Sequence, residues 1–241
     1  VDIGVRRAPA PQGRAGFIRI DSVHQGDFDG IKGLYHINAV DCVTQWQVVA
    51  TVQTISEAHL LPVIEQMLAQ FPFEILGFHA DNGSEYVNHR VAKLLDKLKV
   101  EFTRSRPRRS NDNGLAETKN GAVVRKEFGY SHIPQRHATR FNTYCMEYLN
   151  PFLNFHRPCL FSTDKPDPKK PGRIKRIYRP QDAMTPLDKL ASLPEENQGL
   201  REGITLEHLR ELATALTDVR AAAELNEARQ ALFSRVPSRT A

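Results

Sequence analysis

The sequence has few cysteines and no long apolar segment. Its three cysteines, Cys42, Cys145 and Cys159, lie far apart and form no CxxC pair, which argues against a disulfide framework or a cysteine-bound zinc site. The longest stretch without a charged residue runs only from Cys42 to Ser56, and polar residues interrupt it, so it is not a membrane span. No apolar segment at the N-terminus resembles a signal peptide. We therefore predict a cytoplasmic protein with no membrane partner.

Charge is distributed unevenly along the 241 residues, whose net formal charge is +5. Residues 1–100 carry a net charge of −2 and residues 181–241 one of −3, whereas residues 101–180 carry 17 basic and 7 acidic side chains. Such a basic block attracts polyanions, with an affinity that falls as salt rises. Charge alone leaves two interpretations open, a solvated basic surface and a nucleic-acid interface.

Composition and pattern divide the chain into four segments. With 40% hydrophobic and 25% charged residues, the chain is a typical globular protein, long enough for one domain plus an appendage. The predicted segments are a Pro- and Gly-rich linker (1–16), an α/β unit (17–150), a basic extended segment (151–190) and a helical tail (191–241). The chain begins with Val1, and we expect it to be a piece of a longer protein.

The α/β unit alternates patterns that are typical of strands and helices. The predicted strands are Phe17–Val23, Gly33–Asp41, Trp46–Thr54, Glu74–Ala80 and Val100–Thr103. The predicted helices are one that Ser56 caps and Pro72 ends, then Ser84–Leu98, Asn113–Phe128 and Gln135–Leu149, and a further helix over residues 205–233. Three strands joined by short loops form a meander, whereas strands preceded by helices pair in parallel. The pattern predicts a mixed five-stranded sheet flanked by helices, which matches the ribonuclease H-like fold, with a basic linker and a helical C-terminal extension.

Three acidic residues stand where metal chemistry is possible. Asp21 ends the apolar stretch GFIRID, Asp81 follows the run EILGFHA, and 35 residues separate Asp81 from Glu117 on a predicted helix. Two Asp at the ends of adjacent strands and a Glu on a helix can converge, and Mg²⁺ prefers oxygen ligands of this kind. Taken singly, each acid has an ordinary alternative as a turn residue or a solvated helix residue.

Taken together, these residues resemble a known family. Asp21, the run Asp81-Asn82-Gly83-Ser84-Glu85 and the D-x35-E spacing resemble the integrase core shared by retroviral integrases and bacterial insertion-sequence transposases. The stretch from Arg104 to Asn120 is similar to a bacterial subgroup of these transposases. Further similarities to that subgroup are Val124-Arg125, Gly129-Tyr130, Leu149-Asn150-Pro151, Asn154-Phe155-His156-Arg157-Pro158 and Met184-Thr185-Pro186. The resemblance covers roughly residues 14–190 and, more weakly, the C-terminal helix.

The resemblance implies a DDE-type transposase whose catalytic core is the unit of residues 17–150. Asp21, Asp81 and Glu117 carry over as catalytic residues and as ligands of two Mg²⁺ ions, for which Mn²⁺ substitutes. The implied reaction is cleavage of transposon-end DNA followed by strand transfer into target DNA. The implied partners are double-stranded DNA and further copies of the chain in a synaptic complex, and the implied location is the bacterial cytoplasm, at the nucleoid.

The sequence departs from the family in two places. Arg108-Arg109-Ser110-Asn111 stands where many integrase cores have Pro-Gln-Ser or Pro-Gln-Thr, and Thr118 follows the Glu where Arg is frequent. These departures put in doubt contacts known from distant relatives, but not Glu117 itself. Such transposases usually carry an upstream helix-turn-helix region. We find no candidate for it before residue 17 and therefore predict DNA binding with little sequence preference.

Basic residues supply the candidate DNA contacts. They are Arg104, Arg106, Arg108, Arg109, Lys119, Arg125, Lys169, Lys170, Arg173, Lys175 and Arg176, joined by Asn120. Asn120 shares a helical face with Glu117 and has three interpretations: it positions an Asp ligand, binds a phosphate, or is simply exposed. For the basic residues the alternative is a solvated charge cluster.

Other polar residues near the acids have weaker claims. His24 and His79 lie close to Asp21 and Asp81 in the sequence, but imidazole suits Mg²⁺ less well than carboxylate does. Asp41, which ends a predicted strand, is interpreted as structural.

Two other classes of function stay open. One is a ribonuclease H-like nuclease that cuts DNA without joining it, which product analysis would distinguish. The other is a truncated mobile-element remnant that binds DNA without catalysis. The leucine-spaced helix over residues 206–219 serves assembly of the multimer or packs on the core.

Overall fold

The structure is a computed structural model that describes residues 3–83, 86–109, 112–166, 172 and 174–236. The strands are β1 (Val5–Arg6), β2 (Phe17–His24), β3 (Asp27–Phe28), β4 (Ile31–Lys32), β5 (Tyr35–Asp41), β6 (Gln47–Val52), β7 (Gly77–Ala80), β8 (Glu101–Arg104), β9 (Cys159–Pro166) and β10 (Ile174–Met184). The α-helices are α1 (Glu57–Leu68), α2 (His89–Lys97), α3 (Gly114–Lys119), α4 (Arg125–Phe128), α5 (Ala138–Tyr144), α6 (Pro186–Ala191), α7 (Glu195–Gln198), α8 (Leu206–Thr214) and α9 (Asp218–Phe233). A π-helical turn (Asn120–Val124) joins α3 to α4, and two more, Cys145–Leu149 and Phe152–His156, follow α5.

Six strands of the described chain form one sheet in the order β1-β8-β7-β2-β5-β6. The strands β2, β5 and β6 pair antiparallel as a meander, whereas β7 and β8 pair in parallel on the other side of β2. The helices α1 and α2 precede β7 and β8 and make the crossovers that parallel pairing requires. This is the mixed sheet that the pattern predicts, and its arrangement is the ribonuclease H-like fold, with β2 in the middle.

The sheet has one strand more than predicted. Val5 and Arg6, placed by the sequence in an unstructured linker, pair in parallel with Thr103 and Arg104 at the free edge of β8. A two-residue strand has no periodicity, so its pairing with β8 could not be predicted from the local pattern. The end of the same segment requires glycine at position 16. Gly16 has a φ of +107°, and a Cβ there would lie only 2.3 Å from the Glu74 carbonyl oxygen.

The largest shifts from the predicted starts occur in one helix and one strand. The helix predicted from Ser84 begins at His89, where the Asn88 side chain accepts a hydrogen bond from the Val91 amide at 3.0 Å and caps the helix. The strand predicted from Glu74 begins at Gly77. In both cases the apolar run predicted the element but not the residue at which it begins.

The sheet separates two apolar clusters. The first cluster lies on the face toward α1 and α2 and includes Ile18, Ile20, Phe78, Ala80, Leu60, Ile64, Val91 and Leu95. The second cluster lies on the other face and includes Val23, Leu34, Val49, Val123, Val124, Phe128, Phe141, Leu149 and Leu153. Because strand residues alternate between faces, Asp21 projects away from Ile20 and toward the face that carries the second cluster.

The C-terminal third packs against both clusters. The basic segment forms an antiparallel hairpin of β9 and β10, followed by short helices. The single helix predicted over residues 205–233 is two helices, because Thr217 starts a new one by accepting a hydrogen bond from the Arg220 amide at 3.3 Å. Leu209 of α8 is buried in the first cluster and Leu232 of α9 in the second. The division into four domain segments stays a prediction.

Of the helices in the described part of the chain, none has both the length and the apolar character to span a lipid bilayer.

The Asp41 carboxylate, at the end of β5, accepts five hydrogen bonds. Its Oδ1 accepts from the amides of Gly16 and Phe17 at 2.9 and 3.1 Å. Its Oδ2 accepts from the amide of Val43 and from the amide and hydroxyl of Thr44, at 3.1, 2.7 and 2.8 Å. The carboxylate is fully buried and ties the start of β2 to the turn after β5, which is the structural role that the sequence suggests.

We predict that Asp41→Asn lowers the free energy of unfolding by about 2–3 kcal/mol, because an amide NH₂ would face buried donors that now bind a carboxylate oxygen. Chemical denaturation measures this change. The matched control is Asp96→Asn on the exposed side of α2, which should change stability by less than about 0.5 kcal/mol. Equal effects of the two variants would contradict the role assigned to Asp41.

Candidate active site

Asp21 and Asp81 lie side by side because of the register between two neighbouring strands. In the parallel pair of β2 and β7, Arg19 lies opposite His79. Asp21 and Asp81 each follow that pair by two residues and therefore occupy equivalent positions. Neighbouring strands are about 4.8 Å apart, and residues two apart project from the same face. The sheet thus directs both carboxylates to one place, on the face away from the first apolar cluster.

The turn after β7 fixes Asp81. Its Oδ1 accepts a hydrogen bond from the Gly83 amide at 2.8 Å, the turn that an Asp-Asn-Gly sequence favours. Asn82 donates from Nδ2 to the Ser105 carbonyl at 3.1 Å and so attaches the turn to the end of β8. Ser84 and Glu85, which complete the motif, lie outside the described residues.

Two asparagines hold the helix of Glu117 against the strand of Asp21. Asn113, just before α3, donates from Nδ2 to the Ile20 carbonyl at 3.1 Å. The buried Asn38 on β5 donates to the Ala116 carbonyl, also at 3.1 Å. The helix is therefore attached one residue before Asp21 on the strand and one residue before Glu117 on itself. The side chain of Glu117 remains exposed.

A chain of side-chain amides ends at Asp21. Gln47 donates to the amide oxygen of Asn38 at 2.8 Å, and Asn38 donates to the amide oxygen of Asn120 at 2.9 Å. Asn120 in turn donates from Nδ2 to Asp21 Oδ2 at 2.7 Å. Each amide oxygen accepts and each NH₂ donates in the same direction, so the chain fixes the orientation of Asn120. Of the three interpretations of Asn120, the positioning of an Asp is the one that its hydrogen bond to Asp21 supports.

The electrostatics of Asp21 reflect the two other acids. Burial raises the pKa of Asp21 to about 6, and the nearby carboxylates of Asp81 and Glu117 act in the same direction. Hydrogen bonds from the Ser22 amide and from Asn120 favour the charged form and lower the pKa. Carboxylates close enough to raise one another's pKa repel, and a cation placed among them would relieve that repulsion.

The donor set fits a hard divalent cation in chemistry. All three side chains offer carboxylate oxygens, which Mg²⁺ and Mn²⁺ prefer. Among the residues that the structure describes, no three His, Cys, Asp or Glu side chains form a ready-made metal-binding group. Since Glu117 is exposed and Asp81 half-buried, rotation of these side chains is the movement by which they would meet Asp21 around an ion.

The histidines near the acids have other contacts. His79 is buried between the hydroxyls of Thr103 and Ser105, at 2.9 and 3.3 Å, and burial lowers its pKa to about 4. His24 stacks on the Tyr35 ring with centroids 4.6 Å apart. The contacts of His79 attach β7 to the end of β8.

The basic loop before α3 is partly ordered by one ion pair. Asp112 accepts from the Arg106 guanidinium at 2.8 and 2.9 Å, and Arg106 lowers the pKa of this carboxyl well below its usual range. Arg108 and Arg109 are exposed beyond this pair, and Arg104 is half-buried on β8. The loop therefore presents Arg108 and Arg109 most freely. Its role in DNA binding stays a prediction.

Lys119 and Arg125 make contacts inside the protein. Lys119 is 9% exposed, and its Nζ lies 3.0 Å from Cys159 Sγ. Arg125 donates to the His24 carbonyl at 2.9 Å and to the Gly129 carbonyl at 3.3 Å. These contacts give both residues a structural role, which the sequence did not indicate, because charge pattern alone does not reveal where a side chain points.

The remaining candidates lie on the hairpin. Lys175 and Arg176 are exposed on β10. Lys169, Lys170 and Arg173 lie outside the described residues.

Sequence reasoning missed the asparagines that support the acids. Asn38 is fully buried in the middle of β5 and Asn113 is 2% exposed. Asparagine is uncommon inside strands, so Asn38 between the apolar residues Ile37 and Ala39 was the available signal. A buried amide needs partners, and these partners are the helix backbone and Asn120.

The sequence around the first two acids matches a known domain family. Residues 17–110 match the model of the integrase core domain. Over these residues the chain is similar to integrase core domains, as its motifs predict. The match includes Asp21 and Asp81 and ends before Glu117.

Among curated proteins, the chain is similar to the uncharacterized protein y4rM of Sinorhizobium fredii. The two are 28% identical over 166 residues, which cover 68% of this chain and 47% of the relative. The chain thus spans about half the length of the curated relative it matches.

Solved retroviral integrases resemble the chain at low identity. The catalytic core domain of BIV integrase is 17% identical and covers 46% of this chain and 68% of its own, with a TM-score of 0.38. The HTLV-2 integrase catalytic core domain in complex with magnesium is 14% identical, with coverages of 58% and 86% and a TM-score of 0.41. A simian T-cell lymphotropic virus intasome is 18% identical, with coverages of 61% and 52% and a TM-score of 0.43. At these scores the likeness carries no further argument, and the fold rests on the strand order.

We predict that, in EDTA, Asp21→Asn raises the melting temperature by about 2–5 °C at pH 8 and by less at pH 4.5. The folded-state pKa of about 6 lies above the ordinary value of 3.8, so protonated Asp21 stabilises the fold. This contribution is fully present below pH 3.8 and is lost as the pH rises through 6. Asparagine keeps the neutral form at every pH. Thermal unfolding followed by circular dichroism measures the difference.

Asp96→Asn, the same change of charge at an exposed site, serves as the control and should not show this pH dependence. Addition of Mg²⁺ at pH 8 should then raise the melting temperature of the unsubstituted protein and not that of Asp21→Asn, because a ligand that binds the folded state stabilises it. A melting temperature that Asp21→Asn lowers equally at all pH values would contradict the assignment.

Proposed function

We propose that the chain is the catalytic region of a DDE-type transposase, which cleaves transposon-end DNA and transfers the new end into target DNA. The proposal is supported by the integrase core domain over residues 17–110 and by the location of its acids. The observation that carries it is the equivalent position of Asp21 and Asp81 on adjacent parallel strands, with the helix of Glu117 attached beside Asp21. This placement is what shared metal ligands require.

The proposed cofactor is Mg²⁺, with Mn²⁺ as a substitute, and Asp21, Asp81 and Glu117 would hold two ions. Such a pair of ions supplies charge stabilisation for both the attacking and the leaving oxygen of an in-line displacement at phosphorus.

Hydrogen bonds within the chain hold Asp21 and Asp81 in place for the cations. Asn120 holds Asp21 in one rotamer through Oδ2, and the Gly83 amide holds Asp81 through Oδ1. Asp21 must lose its proton before it binds a cation, so protons compete with the cation and its binding should weaken as the pH falls. The exposed Glu117 completes the set from the helix side, where DNA has access.

The proposed substrate is double-stranded DNA. Residues 101–180 carry a net charge of +10, and this block contains Glu117 and the exposed Arg108 and Arg109. Phosphates of a duplex would meet this surface in a sequence-independent way. We further propose that several copies act together on paired DNA ends, at the bacterial nucleoid where the DNA lies.

The test is a strand-transfer assay on a branched or nicked DNA substrate with Mg²⁺ or Mn²⁺. We predict metal-dependent joined products, which EDTA abolishes. Asp21→Asn, Asp81→Asn and Glu117→Gln should each reduce joining by at least about 10³-fold, because each removes a charge that holds the catalytic cation. Asp96→Asn should retain full activity.

The products also separate the rival functions. Cut DNA without joined DNA would show that the protein is a nuclease and not a transposase. DNA binding without cutting would show that it is a non-catalytic remnant. An active Asp81→Asn variant would overturn the assignment of the site. Circular dichroism of each variant confirms that lost activity is not lost folding.

A further inference from the structure

The hairpin of β9 and β10 has two faces with different surroundings. On β9, Cys159 and Phe161 point toward the body of the protein, because Cys159 Sγ contacts Lys119 Nζ and the Phe161 ring lies 5.3 Å from Lys189 Nζ. Leu160, between them, is 49% exposed and points away. Alternation along the strand continues these two faces to Lys165. The face of Cys159, Phe161 and Lys165 is called the inner face.

The register with β10 assigns its residues to the same two faces. Residues directly opposite each other in an antiparallel pair share a face. The inner-face pairs are Met184 with Cys159, Ile177 with Thr163, and Lys175 with Lys165. The other face, the outer face, carries Ile174, Arg176 and Tyr178, all of them exposed. Among the described basic residues in the regularly paired end of the hairpin, Lys165 and Lys175 therefore lie on the inner face and Arg176 on the outer face.

Lys165 and Lys175 form a like-charge pair at the far end of the inner face. Both side chains are exposed, and directly opposite residues have Cβ atoms about 4.5–5.5 Å apart. Like charges at this distance destabilise a pair of strands, and a two-stranded hairpin is only marginally stable by itself. An anion that contacts both ammonium groups would remove this repulsion. The pair is thus better suited to a bound polyanion than to the free protein.

The inner face leads from this pair to the proposed catalytic helix. Lys119, which Cys159 contacts, lies two residues after Glu117 on α3. Lys165 follows Cys159 by six positions, which at about 3.3 Å per residue makes about 20 Å. This is about six base pairs of duplex, whose axial spacing is about 3.4 Å per base pair. A duplex that contacts both α3 and the far end of the hairpin would therefore extend over about six base pairs between them.

We propose that Lys165 and Lys175 together bind the phosphate backbone of duplex DNA and that Arg176 on the outer face does not. The hairpin then acts as a basic arm that holds DNA at its far end, about 20 Å along β9 from the contact with α3. This inference rests on the proposed function for the identity of the polyanion. It adds Lys165 to the candidate contacts and separates Lys175 from Arg176, which charge alone does not do.

The first test measures the salt dependence of DNA binding by the 241-residue chain in EDTA, where no cutting occurs. The probe is a short fluorescent duplex of arbitrary sequence, and anisotropy is followed between about 50 and 200 mM salt. The double variant Lys165→Gln/Lys175→Gln should reduce the slope of log K against log salt by about 2, since each phosphate contact contributes about 0.9. The matched control, Arg176→Gln, should leave the slope unchanged. An equal loss in the control, or no loss in the double variant, would overturn the proposal.

The second test uses a charge reversal that acts in opposite directions on the two states. In Lys165→Glu an opposite-charge pair replaces the like-charge pair, so hydrogen exchange of the hairpin amides should slow about two- to fivefold in the free protein. The same variant should bind DNA more weakly. Added duplex should slow exchange in the unsubstituted hairpin but not further in the variant. Protection that depends on protein concentration without DNA would assign the inner face to a second copy of the chain and overturn the proposal.

Neither the salt dependence of binding nor the hydrogen exchange requires that the protein cut or join DNA. If strand transfer fails but the Lys165→Gln/Lys175→Gln variant still lowers the salt dependence of binding, the proposed function is wrong and the proposed DNA contact is retained. If strand transfer succeeds while the slope follows Arg176, the arm is wrong and the proposed function stands.

Discussion

The register between β2 and β7 is the constraint on which the candidate site depends. The apolar residues Ile18 and Ile20 on β2 and Phe78 on β7 are buried in the same cluster, which fixes the relative position of the two strands. A shift of β2 by one residue would turn Asp21 into that cluster, where an unpaired carboxylate is costly. Hydrophobic burial on one face of the sheet therefore places Asp21 and Asp81 together on the other. Their mutual repulsion is a cost that the core offsets and that a cation would relieve.

Amide side chains convert this placement into a site with a defined orientation. Asn38 is fully buried, yet its donors and its acceptor all have partners, so the usual cost of a buried polar group does not arise. Through it, β5, β6 and the helix of Glu117 are attached to one another, and Asn120 is oriented toward Asp21. The strands and the helix must all be in place before the carboxylates converge. The site is thus a product of the whole fold rather than of a loop.

Much of this could be predicted from the sequence, and the rest had no local signal. The strands around Asp21, Asp81 and Asp41 follow from apolar runs, and the mixed sheet follows from the order of strands and helices. The edge strand β1 and the break between α8 and α9 depend on pairing across the chain or on a single cap, Thr217. The contact of Lys119 with Cys159 and the division of the hairpin lysines from Arg176 depend on side-chain direction, which appears only once the register is known.

The central claim is that Asp21, Asp81 and Glu117 bind the same cation. Anomalous diffraction from crystals of the chain grown with Mn²⁺ tests it most directly, because the signal locates the ion without assuming its ligands. The account predicts a peak that Asp21 and Asp81 both coordinate, with Glu117 turned toward it, and no peak at this place in crystals of Asp81→Asn. A Mn²⁺ peak at another cluster of the chain, with none between Asp21 and Asp81, would contradict it.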